Sequence, residues 1–244
     1  MIKYTIAVSI LNDGIFHYIP PEIIRKKDIN LLIIHQIPES LSSSIFENAY
    51  LKIKNYGFSV KIIPSFSRGL SKSRNLAIQN CHTKYILFSD DDNSYVNNLV
   101  DILDEKTLNK KLQIYSFRII SKEGEYFKKY PKINTTHNNR SILRLSSIEN
   151  LYDHDFLVSN NIFFNENFGL GAKFPSCEQP IFAKKILSHN GMGEFYPINL
   201  AIHPKENSGY DFYNPLQAKT RRKMFLEIYG LKGWFFVAIF YLKK

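Results

Sequence analysis

The chain has 244 residues, of which 44% are hydrophobic and 14% aromatic. That supports one large domain, or one domain with an appendage, and excludes a disordered chain. Its 32 Lys+Arg against 22 Asp+Glu give a net charge of +10, which favours an anionic partner such as a nucleotide, a nucleic acid or an acidic membrane surface. Two lone cysteines, Cys81 and Cys177, form neither a zinc site nor a disulfide framework and are expected to be reduced thiols of a cytosolic protein. No signal peptide and no apolar stretch long enough to span a bilayer is expected from the sequence.

The first half alternates strand and helix patterns. Tyr4–Leu11 and Ile29–Gln36 are β-branched, apolar runs that predict strands, the second apolar on both faces as in a buried parallel sheet. The segment SSSIFENAYLKIKNYG predicts a helix closed by Gly57, FSVKIIP a third strand, Leu70–Asn80 a helix and KYILFS a fourth strand. A further helix is predicted in YVNNLVDILDEKTL, and a strand over Leu112–Ile120 followed by a hairpin turn at KEGE. HNNRSILRLSSIEN reads as a surface loop or short helix. SNNIFFNENFGLGAKFPSCEQPIFAKKILSHNG reads as a strand, a glycine-bearing loop and a helix near Gln179–Asn190, with Pro180 suited to its first turn. From Pro215 the composition shifts to a basic helix and a short aromatic end, so residues 1–214 are expected to form the main domain and 215–244 a basic amphipathic tail.

The β-α-β-α order implies an α/β fold with a mostly parallel sheet flanked by helices. Ligands of such sheets sit beyond the carboxyl ends of the strands. Asp90, Asp91 and Asp92 follow the fourth predicted strand directly. Adjacent carboxylates repel one another, and the repulsion grows if they are partly desolvated. Three acids there point to a divalent cation holding a diphosphate, since hard cations bind carboxylate oxygen and share substrate phosphates. A solvated turn or a helix cap is the plainer alternative. Upstream, Arg68, Lys72 and Arg74 surround a helix start, a phosphate-binding neighbourhood.

The run GLSKSRNLAIQNCHTKYILFSDDD resembles the donor-binding segment of family-2 glycosyltransferases with the GT-A, Rossmann-like fold. FGLGAKFPSCEQPIFAKKILSHNG is similar to that family's glycine-bearing loop and acidic pair opening a helix, and AIHP to its late histidine. The resemblance spans most of Ile2 to about Pro204 and implies roles for particular residues. Asp90 and Asp92, with Asp91 nearby, would bracket the metal, Mn²⁺ or Mg²⁺, and the sugar nucleotide. Arg74 would contact the diphosphate, His203 would be a further metal ligand, and Asn12 and Asp13 would stand near the base. Gly171 belongs to the loop that faces the donor.

Inverting transfer needs a carboxylate to take the acceptor hydroxyl's proton. The family offers a Glu-Asp pair; here the pair is Glu178-Gln179, and an amide is no general base. Glu178 is the preferred candidate, with Gln179 contacting the acceptor. Glu166, Asp155, or an absence of catalysis remain open.

The expected function is therefore metal-dependent, inverting transfer of a sugar from a nucleotide-diphospho-sugar, a UDP-sugar foremost, to a glycan or lipid-linked acceptor in surface-polysaccharide synthesis. The rival is a non-catalytic module that binds a sugar nucleotide or a partner. Nucleic-acid binding is not expected: the basic residues are scattered and no recognition motif occurs. The tail, with Arg221-Arg222-Lys223 beside Trp234–Leu242, suits a helix lying in an anionic membrane interface, on the cytoplasmic side, or packing on the domain.

Overall fold

The computed structural model describes residues 2–25, 29–204 and 214–242. In chain order the elements are β1 Tyr4–Leu11, α1 Gly14–His17, β2 Ile29–Gln36, α2 Glu47–Lys54, β3 Val60–Ser65, α3 Leu70–Asn80, β4 Tyr85–Ser89, β5 Ser94–Tyr95 and α4 Leu99–Asn109. They continue with β6 Ile114–Ile120, β7 Thr135–Thr136, β8 Asn150–Asp153, α5 His154–Ser159, α6 Glu178–Ser188, β9 Gly193–Ile202, α7 Pro215–Tyr229 and α8 Gly233–Leu242.

One nine-stranded sheet runs in the order β3-β2-β1-β4-β8-β6-β9-β5, with β7 also on β9. The β3-β2-β1-β4 half is wholly parallel. Its strands alternate between two apolar layers, as a period of two requires. Ile6, Val8, Leu31 and Ile33 face the layer that holds Ile53 of α2 and Leu99 and Leu103 of α4. Ala7, Leu32, Ile34 and Phe88 face the layer that holds Ala77 and Ile78 of α3 and Phe182 and Ile186 of α6. Burial on both faces explains the continuous apolar run of β2.

The other half departs from a simple parallel sheet. β8 inserts antiparallel between β4 and β6, pairing Tyr85 with Asp153 and Ile114 with Tyr152. This four-residue strand lies just after the segment expected to be a loop or short helix, where a 3₁₀ turn forms at Ser141–Arg144. The strand expected around Ile162–Phe164 does not form. Asn75 takes the place of a neighbouring strand there: its Oδ1 accepts from the Phe164 amide at 2.7 Å, and its Nδ2 donates to the Phe164 carbonyl at 3.1 Å. The segment is satisfied without a ladder. The predicted helix over SSSIFENAYLKIK begins as a 3₁₀ turn at Ser43–Phe46 before α2. The KEGE hairpin forms, with Ser121 N donating to Glu125 O at 2.8 Å.

At the C-terminal end, α7 buries Met224, Phe225 and Ile228 against Phe168, Phe174 and Ile181. α8 turns Phe236, Val237 and Phe240 towards this cluster and leaves Trp234, Phe235 and Leu242 exposed. Among the described residues no helix is long and apolar enough to cross a membrane.

His137, buried beside β9, shares a hydrogen bond with Ser116 Oγ at 2.8 Å. Burial lowers its pKa to about 4, with Glu194 opposing and Lys128 assisting. Its folded-state pKa lies below the unfolded one, so stability is full above the ordinary histidine range and falls as pH drops below it. His137→Asn should flatten that acid limb. Urea unfolding at pH 5 and 7 should show the wild type losing about 1–2 kcal/mol more than the variant.

Candidate active site

Strands β1, β2, β3 and β4 end along one edge: Leu11 is level with Gln36, Gln36 with Ser65, and Val8 with Ser89. Beyond that edge lies a cleft of about 1200 Å³, lined by Ser9, Leu11, Gln36, Arg68 and Gly171, with the three aspartates and His203 at its floor and mouth. Chain reversal after β4 sends Asp90, Asp91 and Asp92 into this space. Asn93 Nδ2 donates to Ser89 Oγ at 3.3 Å and holds the turn.

The helix bearing the basic residues is fixed from two directions. Ser73 Oγ donates to Ser9 Oγ at 2.7 Å, tying α3 to β1, and Ser71 Oγ donates to the Phe168 carbonyl at 2.5 Å, tying it to the glycine loop. That loop docks on the start of α3 through Leu70 N to Leu170 O at 2.9 Å. Gly169 and Gly171 have φ of +105° and +77°, and a Cβ on Gly169 would stand 3.0 Å from Ser71 Oγ. Both the backbone angle and the contact call for glycine there.

Arg74 lies beneath the floor, 1% exposed. Its Nη1 donates to Glu178 Oε1 at 2.9 Å and its Nη2 approaches Asp90 Oδ1 at 3.5 Å. The guanidinium also faces the rings of Phe164 and Phe88, at 5.6 and 5.9 Å. It thus meets protein carboxylates and lines neither this cleft nor the next. Burial raises the pKa of Asp90, as do Asp92 and Glu178, against the pull of Arg74 and His203. Burial likewise raises Asp91, with Asp92 and Asp90 adding to it. These carboxylates are electrostatically uncomfortable and have room for a cation.

Asp92 keeps 52% of its side chain exposed, and its Oδ1 lies 3.5 Å from His203 Nε2. His203 is carried there by β9, whose pairing with β5 sets Ile202 opposite Ser94. Among the described residues no three His, Cys, Asp or Glu side chains are already gathered as a metal-binding group. Carboxylate oxygens with one imidazole nitrogen nevertheless suit a hard or borderline divalent cation that completes its shell with phosphate and water.

A second cavity of about 590 Å³ shares Asp90 and His203 with the first. Glu178 and Gln179 stand on its wall, with Arg144, Ser146 and Arg221. Glu178 opens α6, preceded by Cys177 at φ +70°. Gln179 is 3% exposed and its Nε2 donates to Tyr152 OH, while its Oε1 is buried with no hydrogen-bond partner among the described residues.

The remaining candidates are spread more widely. Asn12 and Asp13 follow β1 just past the cleft wall, and Asn12, at φ +50°, accepts from His35 Nε2 at 2.6 Å. Lys72 is exposed on α3 outside the cleft lining. Glu166 accepts from Asn75 at 3.0 Å and lines neither cavity. Asp155 opens α5 just after Asp153, which pairs with the first residue of β4, at the opposite edge of the sheet. Gln36, whose amide donates to the carbonyls of Ser67 and Gly69, lines the cleft and was legible only as the last residue of a buried strand. Arg144 ends the 3₁₀ turn and carries no motif, and Arg221, on α7, belongs to the basic run expected at a membrane interface.

The sequence profile of Glycosyl transferase family 2 matches residues 45–171, just over half of the chain. The chain belongs to this family. The match takes in α3, the aspartates and the glycine loop, and ends before Glu178 and His203. A comparison with curated proteins gives no match. Among solved structures, S. aureus TarS 1–349 superposes with a TM-score of 0.66 at 16% identity, over 93% of this chain and 66% of that one. The same region of TarS in complex with UDP-GlcNAc gives 0.67 at 16% identity, over 93% of this chain and 67% of that one. A longer S. aureus TarS chain gives 0.63 at 18% identity, with 93% of this chain and 40% of that one covered. The family's GT-A fold, an α/β sheet flanked by helices, is thus the fold of this chain, which spans about two thirds of TarS 1–349.

Arg74→Ala should leave Glu178 and Asp90 without their buried cation and lower unfolding stability by about 3 kcal/mol, read by urea denaturation. A double Arg74→Met, Glu178→Gln variant should lose less, because it removes charge on both sides.

Proposed function

We propose that this protein transfers a sugar from a nucleotide-diphospho-sugar, a UDP-sugar by preference, to a hydroxyl of a glycan or lipid-linked acceptor, with inversion. The observation that carries the reading is the meeting of two cavities at Asp90 and His203, with Glu178 on the wall of the second. Donor diphosphate would lie in the larger cleft and acceptor in the smaller, so the transferred carbon passes between them. The UDP-GlcNAc complex of the TarS fold supports a uridine donor here.

In this mechanism the Glu178 carboxylate accepts the proton of the acceptor hydroxyl as its oxygen attacks the anomeric carbon. The bond to the diphosphate breaks on the opposite side, and the nucleoside diphosphate leaves. Arg74 orients Glu178 through their hydrogen bond. Asp90, Asp92 and His203 would hold Mn²⁺ or Mg²⁺, which supplies neutralisation of charge on the leaving diphosphate. Gln179 faces inward and offers no base, which is the feature that favours the rival reading of donor binding without transfer.

Membrane association is part of the proposal. Trp234 and Phe235 are exposed on α8, and the Arg222 guanidinium lies 5.8 Å from the Trp234 ring. Aromatic and basic groups on one face suit the interface of an anionic bilayer, where a lipid-linked acceptor for surface-polysaccharide synthesis would be met on the cytoplasmic side.

Calorimetry should show UDP binding that needs Mn²⁺ or Mg²⁺ and disappears in Asp92→Ala; metal-indifferent binding would sink the donor assignment. With a matched UDP-sugar and acceptor, Glu178→Ala should lower kcat about 10²–10⁴-fold while UDP still binds. Unchanged turnover would move the base elsewhere. Trp234→Ala with Phe235→Ala should cut co-sedimentation with phosphatidylglycerol vesicles; equal sedimentation would remove the interfacial role of α8.

A further inference from the structure

The second cavity does not end at Glu178. It adjoins a third cavity of about 360 Å³ at Arg144 and Leu145, which line both, and the two together form an extended groove leading away from the transfer point. Away from Asp90 and Glu178 at the transfer point, the groove's charge is one-sided. Its buried acid, Glu149, is already answered: Lys128 Nζ donates to it at 2.7 Å and Tyr130 OH at 3.1 Å. Glu178 is paired with Arg74. Lys129, Arg140 and Arg144 take part in none of the ion pairs among the described residues. All three are exposed. Arg144 is held in place by donating Nη2 to the Lys129 carbonyl at 2.8 Å, which leaves the rest of its guanidinium fork for a ligand. Arg221 enters the same groove from α7, over the Phe240 ring at 5.9 Å. At the inner end stands the Glu178 carboxylate, an acceptor for a hydroxyl.

Lys129, Arg140 and Arg144 outside those ion pairs, with a hydroxyl-binding atom at one end, fit a chain that carries both hydroxyls and repeated negative charge. We propose that this groove binds an anionic glycan chain, bearing phosphodiester or carboxylate groups at intervals, with a hydroxyl at Glu178 and successive anionic groups at Arg144 and at Arg140 with Lys129. Its role as acceptor rests on the transferase reading; the anion-binding groove itself does not.

The test uses fluorescently labelled oligo(glycerol phosphate), oligogalacturonate and neutral maltohexaose in anisotropy titrations. These are run against the wild type, Arg140→Ala with Arg144→Ala, and a control with Lys52→Ala and Lys54→Ala on α2. At least one anionic chain should bind about tenfold tighter than maltohexaose, weaken with salt, and lose about tenfold in the groove variant but not in the control. Which anionic chain binds identifies phosphate or carboxylate. Equal binding of all three oligomers, or equal loss in groove and control variants, overturns the proposal. Urea midpoints check that the variants fold, and UDP titration of the same samples separates the two readings. Loss of the anionic preference with UDP binding intact fails the groove alone, whereas absent UDP binding with the preference intact fails the donor cleft alone.

Discussion

A guanidinium buried beneath the cleft is the constraint on which the site depends. A guanidinium as enclosed as that of Arg74 is tolerable only with partners close by. It finds Glu178 from α6 and Asp90 from the end of β4, with two aromatic faces around it. Because one rigid planar group bonds to both, the two carboxylates hold a fixed relation although 88 positions separate them in the chain. The same arrangement puts Glu178 at the wall of one cavity and Asp90 on the floor of both.

The sheet divides the labour around that point. Its parallel half presents an edge where four strands end together, and the large cleft is built there. Its mixed half, made by inserting β8 and pairing β6 with β9, carries the two smaller cavities. The C-terminal helices close the second cavity from outside, through Met224, Phe225 and Phe240. A segment that looks like an appendage in composition thus forms part of a cavity wall.

The parallel half was legible because β2 and β4 are largely continuous apolar runs and β1 is β-branched and apolar, so β1 and β2 emerge from Tyr4–Leu11 and Ile29–Gln36 without help from distant residues. The mixed half was not. β8 is four residues long and gains its identity only from β4 and β6, and Phe164 is held by a single Asn75 amide. The aspartates, Arg68 and Gly171 announced a cleft because charge and glycine are chemically loud. Arg74 carries the same letter as a surface arginine; its burial is a tertiary fact. Gln36 and Arg144 are ordinary residues made notable by position alone, and Arg221 stood out only as one of a basic run in the tail.

The short pairing of β5 with β9 has a consequence for how the protein is made. Asp92 meets His203 only because Ser94 lies opposite Ile202. This ladder joins the middle of the sequence to its last strand, a contact of large sequence separation that forms late when loop closure limits folding. A nascent chain can assemble β1 to β4 and expose its aspartates well before β9 leaves the ribosome. The side of the cleft where Asp92 meets His203 is therefore complete only once β9 has been made and paired.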